Sequence, residues 1–364
     1  MSLPLVAPDV IATPHPFAPH PLDPRGCSPR ELFERGARTG FAERELRRWL
    51  GAVVGRGETT HAAWAARGVL NRQARAAIGD LTRLSVERID TSPTDGFQKL
   101  VLRCPDGAAI ETVVIPLHKP NAATVCLSSQ VGCVMGCAFC ATTRMPRRRN
   151  LATWEIVDQF LHAREAAAHA GRRITGAVFM GMGEPFLNYT AVIAAAEVLS
   201  FPVENAVGAP AITVSTVGLV DEITRFTDEA QPFRLSISLG AATDEKRRAL
   251  LPVASRFPVA EVMAAARRHA LARRTRINIA YVCIGGVNVS PDDAQALGEL
   301  VGDTPVRLDL IDVFDPSGRF TPPTPPELAT FRDALRRYVG QPVARRYSGG
   351  KDIRAACGTL AAGA

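Results

Sequence analysis

Between residues 124 and 339 the chain passes from strand-like to helix-like patterning six times, a rhythm that few architectures accept. Apolar, β-favouring runs cover 124–128, 174–181, 212–216, 235–239, 277–283 and 308–313. Helical periodicity fills 154–168, 190–199, 220–226, 259–269 and 291–301, and a last helix is expected at 327–339. Such alternation predicts an α/β fold built on a parallel sheet with right-handed crossovers. Either a partial barrel or an open doubly wound sheet accommodates six units, and in both a ligand binds at the carboxyl ends of the strands.

The flanking segments read differently. Residues 1–24 hold seven prolines and are expected to be a flexible tail. Ser28-Pro29-Arg30-Glu31 has the form of a capping box. It opens a small helical domain over 25–92, with helices near 30–37, 42–53 and 71–78. From Phe97 the period becomes two, and Pro105-Asp106-Gly107 separates two strand-like runs, so 93–120 is expected to be a β-hairpin linker. The β/α region then covers 121–340, and 341–364 forms a C-terminal segment.

Charge and cysteine usage narrow the function. The chain has 43 Lys and Arg against 36 Asp and Glu, a formal net charge of +7, which favours an anionic partner. Arg144, Arg147, Arg148 and Arg149 are the basic group whose position suggests contact with a phosphate backbone. No apolar run approaches the roughly 18 residues of a membrane span, and no signal-peptide pattern is present. A cytoplasmic protein that touches no membrane is expected. Four of eight cysteines fall within fifteen residues, which suits metal or redox chemistry rather than a disulfide framework.

Cys133, Cys137 and Cys140 form C-x3-C-x2-C directly after the first β/α strand. Three thiolates in one tight loop can ligate three irons of a [4Fe–4S] cluster and leave the fourth iron open. A zinc site with Cys126 as fourth ligand is the other reading of the same thiols. Gly181-Met182-Gly183-Glu184-Pro185 follows the second strand, where glycines admit a close ligand and a glutamate can accept hydrogen bonds from an ammonium.

The three-cysteine loop at the end of the first strand resembles the radical S-adenosylmethionine (SAM) superfamily. That resemblance implies a partial (β/α)6 barrel and a [4Fe–4S] cluster on Cys133, Cys137 and Cys140. It also implies SAM contacts by Gly183, Glu184, Ser215, Ser238 and Leu239. Cys126, Cys357 in Arg354-Ala355-Ala356-Cys357-Gly358, and Glu111 in Glu111-Thr112-Val113-Val114-Ile115-Pro116 extend the likeness from about residue 28 to residue 361. Together these motifs resemble the radical-SAM RNA methyltransferases that modify adenine at carbon 2, in ribosomal and transfer RNA, or at carbon 8.

The resemblance implies two uses of SAM, as methyl donor and as radical source. Cys357 would take a methyl by polar transfer, and a 5′-deoxyadenosyl radical would abstract hydrogen from it. The methylene radical would then add to adenine. Glu111 would accept the ring proton, and Cys126 would release the product through a transient disulfide with Cys357. Ribosomal or transfer RNA and an electron-donor protein are the implied partners, and a monomer is expected. Two positions depart from the family pattern: Gly240 stands where histidine is common, and the run from Leu310 to Pro316 lacks the family's SAM-binding asparagine. A radical-SAM enzyme acting on a small molecule, protein or different RNA, and a zinc-stabilised RNA-binding module, are the alternative functions. Cys27, Cys104 and Cys283 have no assigned role.

Overall fold

The computed structural model describes residues 19–146, 148–315 and 317–361; the first eighteen residues of the expected tail, and Arg147, lie outside these. Four short helices come first: α1 (Pro29–Arg38), α2 (Glu43–Leu50), α3 (His61–Ala66) and α4 (Arg72–Ile78). Ser28 caps α1 by accepting a hydrogen bond from Glu31 N–H at 3.2 Å. The reciprocal half of the expected capping box is absent from the α1 bonds, because the Glu31 carboxylate pairs with Arg35 one turn on. A π-helical turn, Gly51–Gly55, continues α2.

Packing begins before α1. Leu22 and Asp23, inside the stretch read as a tail, are buried together with Arg25. The Arg25 guanidinium bonds Asp23 at 2.8 Å and reaches Asp158 at 2.8 Å. Asp158 belongs to α5 (Thr153–His169), so this fully desolvated pair ties the amino-terminal helices to the larger unit.

The main sheet has ten strands. Its antiparallel part comprises β1 (Ser85–Thr91), β2 (Gln98–Arg103) and β3 (Ala109–Pro116), and β3 pairs antiparallel with β4 (Ala122–Cys126). The expected hairpin is thus β2–β3, continuous with the main sheet. Residues 85–91, read as the end of the helical region, form an edge strand instead. Its side chains are mostly exposed, and with no buried face it shows no period-two apolar signal. Charged pairs such as Glu87 with Arg103 line this edge and discourage further pairing. A separate two-stranded ribbon joins β5 (Gln130–Val131) to β6 (Arg149–Asn150).

Beyond β4 the strands run parallel in chain order: β7 (Arg173–Phe179), β8 (Ile212–Thr216), β9 (Arg234–Ser238), β10 (Ile277–Cys283), β11 (Val306–Asp312) and β12 (Val343–Arg346). The connecting helices are α5, α6 (Tyr189–Ser200), α7 (Val220–Asp228), α8 (Asp244–Leu250), α9 (Val259–Arg273), α10 (Pro291–Val301) and α11 (Pro325–Tyr338). A doubly wound sheet reverses its strand order at a switch point; this order never reverses. Right-handed crossovers then put the helices on one side and leave the other strand face free. Among the described residues β1 and β12 are unpaired ends, so the sheet is a barrel left open.

One buried polar knot fixes the rim where β4 and β7 end. Gln159 on α5 accepts hydrogen bonds from Ser128 N–H at 2.9 Å and Thr112 Oγ1 at 2.7 Å, and donates to the Ser128 carbonyl at 3.0 Å. Ser128 Oγ donates to the Glu111 carbonyl at 2.6 Å and accepts from Met182 N–H at 2.9 Å. Gln159→Leu keeps the volume but orphans these buried groups, and is expected to cost about 3 kcal/mol of stability. Anaerobic denaturant unfolding checks this; an unchanged midpoint would show the knot to be energetically idle.

Candidate active site

The carboxyl ends of the parallel strands surround a cavity. Cys133, Cys137 and Cys140 line it from the loop after β5, and Gly181, Gly183 and Glu184 from the loop after β7. Ser215 and Ser238, at the ends of β8 and β9, complete the polar side, their hydroxyls 3.2 Å apart. Cys357 and Gly358 close it from the C-terminal segment.

Burial governs the thiols. It pushes Cys133 up to about 12, Cys137 well above its ordinary value, and Cys140 upward as well. Backbone N–H groups of Met135 and of Thr142 and Thr143 bond the Cys133 and Cys140 sulfurs respectively and oppose that rise. A bound metal overcomes such a penalty by taking the thiol as thiolate, and N–H···S bonds of this kind tune iron–sulfur centres. The three thiols line one cavity, as a [4Fe–4S] cluster with three protein ligands requires.

Glu184 bridges two rim loops, accepting from Phe186 N–H and Val217 N–H, each at 3.0 Å. Burial outweighs these bonds and lifts its carboxyl to about 7. The neighbouring glycines answer a second demand besides ligand approach. A Cβ on Gly183, whose φ is +101°, would lie 2.6 Å from the Gln130 side chain, and one on Gly181 2.7 Å from the Leu127 carbonyl. Gly240 at φ +76° is similarly confined: a Cβ there would meet Leu251 at 2.7 Å. Leu251 itself lines the cavity, so an apolar side chain adjoins the position where the family pattern has histidine.

The remaining residues singled out by sequence fall around this centre rather than all within it. Cys126 and Cys357, both free thiols, line a smaller adjoining cavity with Met180 and Arg346. Burial pushes Cys126 up to about 12, with the Cys357 charge adding and Arg346 opposing. Leu239 is fully buried and lies outside the cavity lining; Arg247 holds its carbonyl at 3.1 Å and its N–H bonds the Ala280 carbonyl at 3.1 Å. Glu111 lies beneath the C-terminal segment, where its carboxylate accepts from Ala361 N–H at 2.8 Å. That segment is also held by Ala141 N–H on the Gly358 carbonyl and Thr142 Oγ1 on the Leu360 carbonyl, both at 2.7 Å.

The arginine group divides. Arg149 is buried, bonding Glu155 at 2.8 and 2.9 Å and Asp106 at 2.8 Å. It is structural and does not face a phosphate, because two carboxylates in reach consume its donors. Arg144 and Arg148 are exposed beside the cluster loop. Asp315, near the missing asparagine, is turned to its own loop, accepting from Ser317 N–H at 2.9 Å and Phe320 N–H at 3.3 Å.

Sequence reasoning missed Gln159, Ser128, Gln130, Asn188 and Arg247, which hold the rim in place. Gln130 accepts from Glu184 N–H at 2.9 Å, and Asn188 donates to the Ser129 and Leu151 carbonyls at 2.8 Å. Their one available signal is that amides and a serine interrupt otherwise apolar patterns.

Residues 127–297 match the Radical SAM superfamily model. The chain is 48% identical over 326 residues to a probable RNA methyltransferase of Anaeromyxobacter sp. (strain Fw109-5), covering 89% of this chain and 94% of that one. It is 38% identical to a probable dual-specificity RNA methyltransferase RlmN of Opitutus terrae, covering 91% and 93%. The crystal structure of a radical SAM methyltransferase from Sphaerobacter thermophilus superposes with a TM-score of 0.84 at 36% identity, covering 93% and 98%. The open-barrel fold and its thiol-lined cavity are those of a radical SAM enzyme. More narrowly, the chain belongs to the RlmN-related radical SAM RNA methyltransferases. Membership implies SAM and a [4Fe–4S] cluster as cofactors, and RNA as substrate. No helix among the described residues is long and apolar enough to cross a membrane.

A carboxyl raised in the folded state binds protons more tightly there than in the unfolded chain, so Glu184 stabilises the fold below about pH 4.5 and loses that contribution as pH rises through about 7. Infrared difference titration of the cofactor-free chain against Glu184→Gln is expected to show a carboxyl titrating near pH 7. Titration in the ordinary glutamate range would contradict the assigned burial effect.

Proposed function

We propose that this chain methylates carbon 2 or carbon 8 of an adenine in ribosomal or transfer RNA, using Cys357 as the methyl carrier. The observation that carries this reading is the double exposure of Cys357. It lines the cavity of the three clustered cysteines on one side and the small cavity of Cys126 on the other. A radical SAM enzyme acting on a small molecule or protein needs neither thiol.

In this reading Cys133, Cys137 and Cys140 hold the cluster. Glu184 receives the amino group of SAM, Ser215 and Ser238 its ribose and carboxylate, and Gly183 shapes the remaining contact, while Leu239 supports the end of β9 from behind. Cluster and SAM together supply the methyl group and one-electron hydrogen abstraction. Cys357 gives up its thiol proton when methylated and carries the carbon to adenine. The adduct loses one electron and, to Glu111, its ring proton. The Cys126 sulfur then attacks the Cys357 sulfur, forming a disulfide as the bond from that sulfur to the adenine methylene breaks and the freed carbon takes up a proton. Arg144 and Arg148 are available to RNA phosphates. An electron-donor protein serves as reductant, and the cytoplasm, where ribosomal and transfer RNA reside, is the site of action.

With cluster-loaded protein, SAM, a chemical reductant and unmodified RNA, Cys126→Ala is expected to accumulate protein covalently joined to RNA. Turnover without an adduct on a denaturing gel would remove Cys126 from the scheme. Cys357→Ala is expected to abolish methylation while reductive SAM cleavage persists; methyladenosine at the wild-type level by nucleoside mass spectrometry would sink the proposal.

A further inference from the structure

Among the buried cations that the scheme leaves unused, one meets Glu111. Lys99 on β2 is almost fully enclosed, and lysine, with a strongly hydrated ammonium, is rarely buried unless paired. Its Nζ lies 3.3 Å from Glu111 Oε1 and 3.8 Å from Asp90 Oδ2. In the β2–β3 register Lys99 faces Val113 and Glu111 faces Val101, so the two side chains meet on the diagonal of one sheet face. The other Glu111 oxygen, Oε2, accepts from Ala361 N–H at 2.8 Å. Both oxygens are therefore committed, one to the sheet and one to the segment that bears Cys357.

We propose that Lys99 is a positioning residue for Glu111: its ammonium keeps the buried carboxylate charged and turned toward Ala361, and so seats the segment that carries Cys357. The inference rests on the reading of Glu111 as proton acceptor and adds what prepares it for that task. A proton acceptor must be ionised before the proton arrives, and burial alone drives a carboxyl toward its neutral form. Burial does raise Glu111, and Lys99 is the largest influence pulling it back.

The other charged groups around Glu111 do not replace Lys99. On β1, Arg88 also favours the charged form of Glu111, but less than Lys99 does, and is itself bonded to Asp90 at 2.8 Å. Arg144 reaches toward Asp315 at 3.7 Å. Asp352 and Arg354, of opposite sign, line the same cleft from the C-terminal segment. At the other end of that segment, Asp95 accepts from Gly350 N–H at 2.8 Å and Tyr347 Oη at 3.0 Å. Beyond Cys357 the segment is also held at Gly358 by Ala141 and at Leu360 by Thr142; of these anchors the Glu111–Ala361 bond is the one that involves Lys99.

The test compares Lys99→Met, Lys99→Arg and Glu111→Gln in the full chain, with two readouts. Hydrogen-exchange mass spectrometry follows residues 349–361 without RNA. Methylation of total ribosomal and transfer RNA from cells lacking this protein is followed against pH. In Lys99→Met the amide of Ala361 is expected to exchange about tenfold faster, since a hydrogen bond to a charged group is the stronger kind, while Gly350 stays protected. The acidic limb of its rate profile is expected to move up by about one pH unit, because loss of an adjacent positive charge raises a carboxyl. Lys99→Arg, which keeps the charge, is expected to restore both.

An acidic limb that stays in place in folded, cluster-loaded Lys99→Met overturns the proposal, as does unchanged exchange at Ala361. Glu111→Gln separates the two layers of inference. Methylation by that variant at the wild-type rate overturns the proton-acceptor role of Glu111, while the exchange data still report whether Lys99 seats the segment.

Discussion

The hydrogen bonds of Gln159 and Ser128 bring the working parts of this molecule to common coordinates. A parallel sheet can tolerate small relative slips at its rim, because loops carry the chain beyond the last ladder bond. Here the side-chain amide of α5 grips the backbone just past β4, and the Ser128 hydroxyl links that point to β3 and to the loop after β7. The strand-end at Ser128, the loop after β7 and the Glu111 backbone are therefore tied to one another. A low-dielectric setting strengthens each bond of such a knot and makes any missing partner costly, which is why polar groups can sit there without loosening the core.

Desolvation is the second organising effect, and its consequences differ from group to group. For the three loop cysteines it raises the cost of thiolates in a way that metal ligation relieves. For Cys126 it raises the thiol and so disfavours its thiolate form. For Glu184 it brings the carboxyl near neutrality in the cofactor-free chain, so a cationic ligand would restore the charge as it binds. Lys99 and Glu111 show the compensated case, two buried charges that each make the other tolerable.

Much of this architecture was legible in the residues. Helix α10 begins and ends where its pattern predicted, because Ser290 and Pro291 start it and Gly302 stops it. All six β/α strands were found, since strands buried on both faces read as continuous apolar runs. The strands at the two sheet edges, β1 and β12, were not, because edge positions carry charged side chains and no apolar alternation. At the site, cysteine spacing pointed to the thiol loop, whereas spacing alone gave no sign that Arg149 is consumed by Glu155 and Asp106. Gln159 was invisible for a similar reason: its importance lies in which distant backbone groups it meets, and those are set by tertiary packing.

The order of the chain adds a temporal dimension to the C-terminal anchors. Every strand and the whole thiol loop precede the segment from Gly349 to Ala361 in sequence, and that segment docks on residues as distant as Asp95, Glu111 and Thr142. During synthesis the barrel can therefore form with its cavity uncovered. The segment arrives as a late seam, drawn shut only after the space behind it has been reachable from solution.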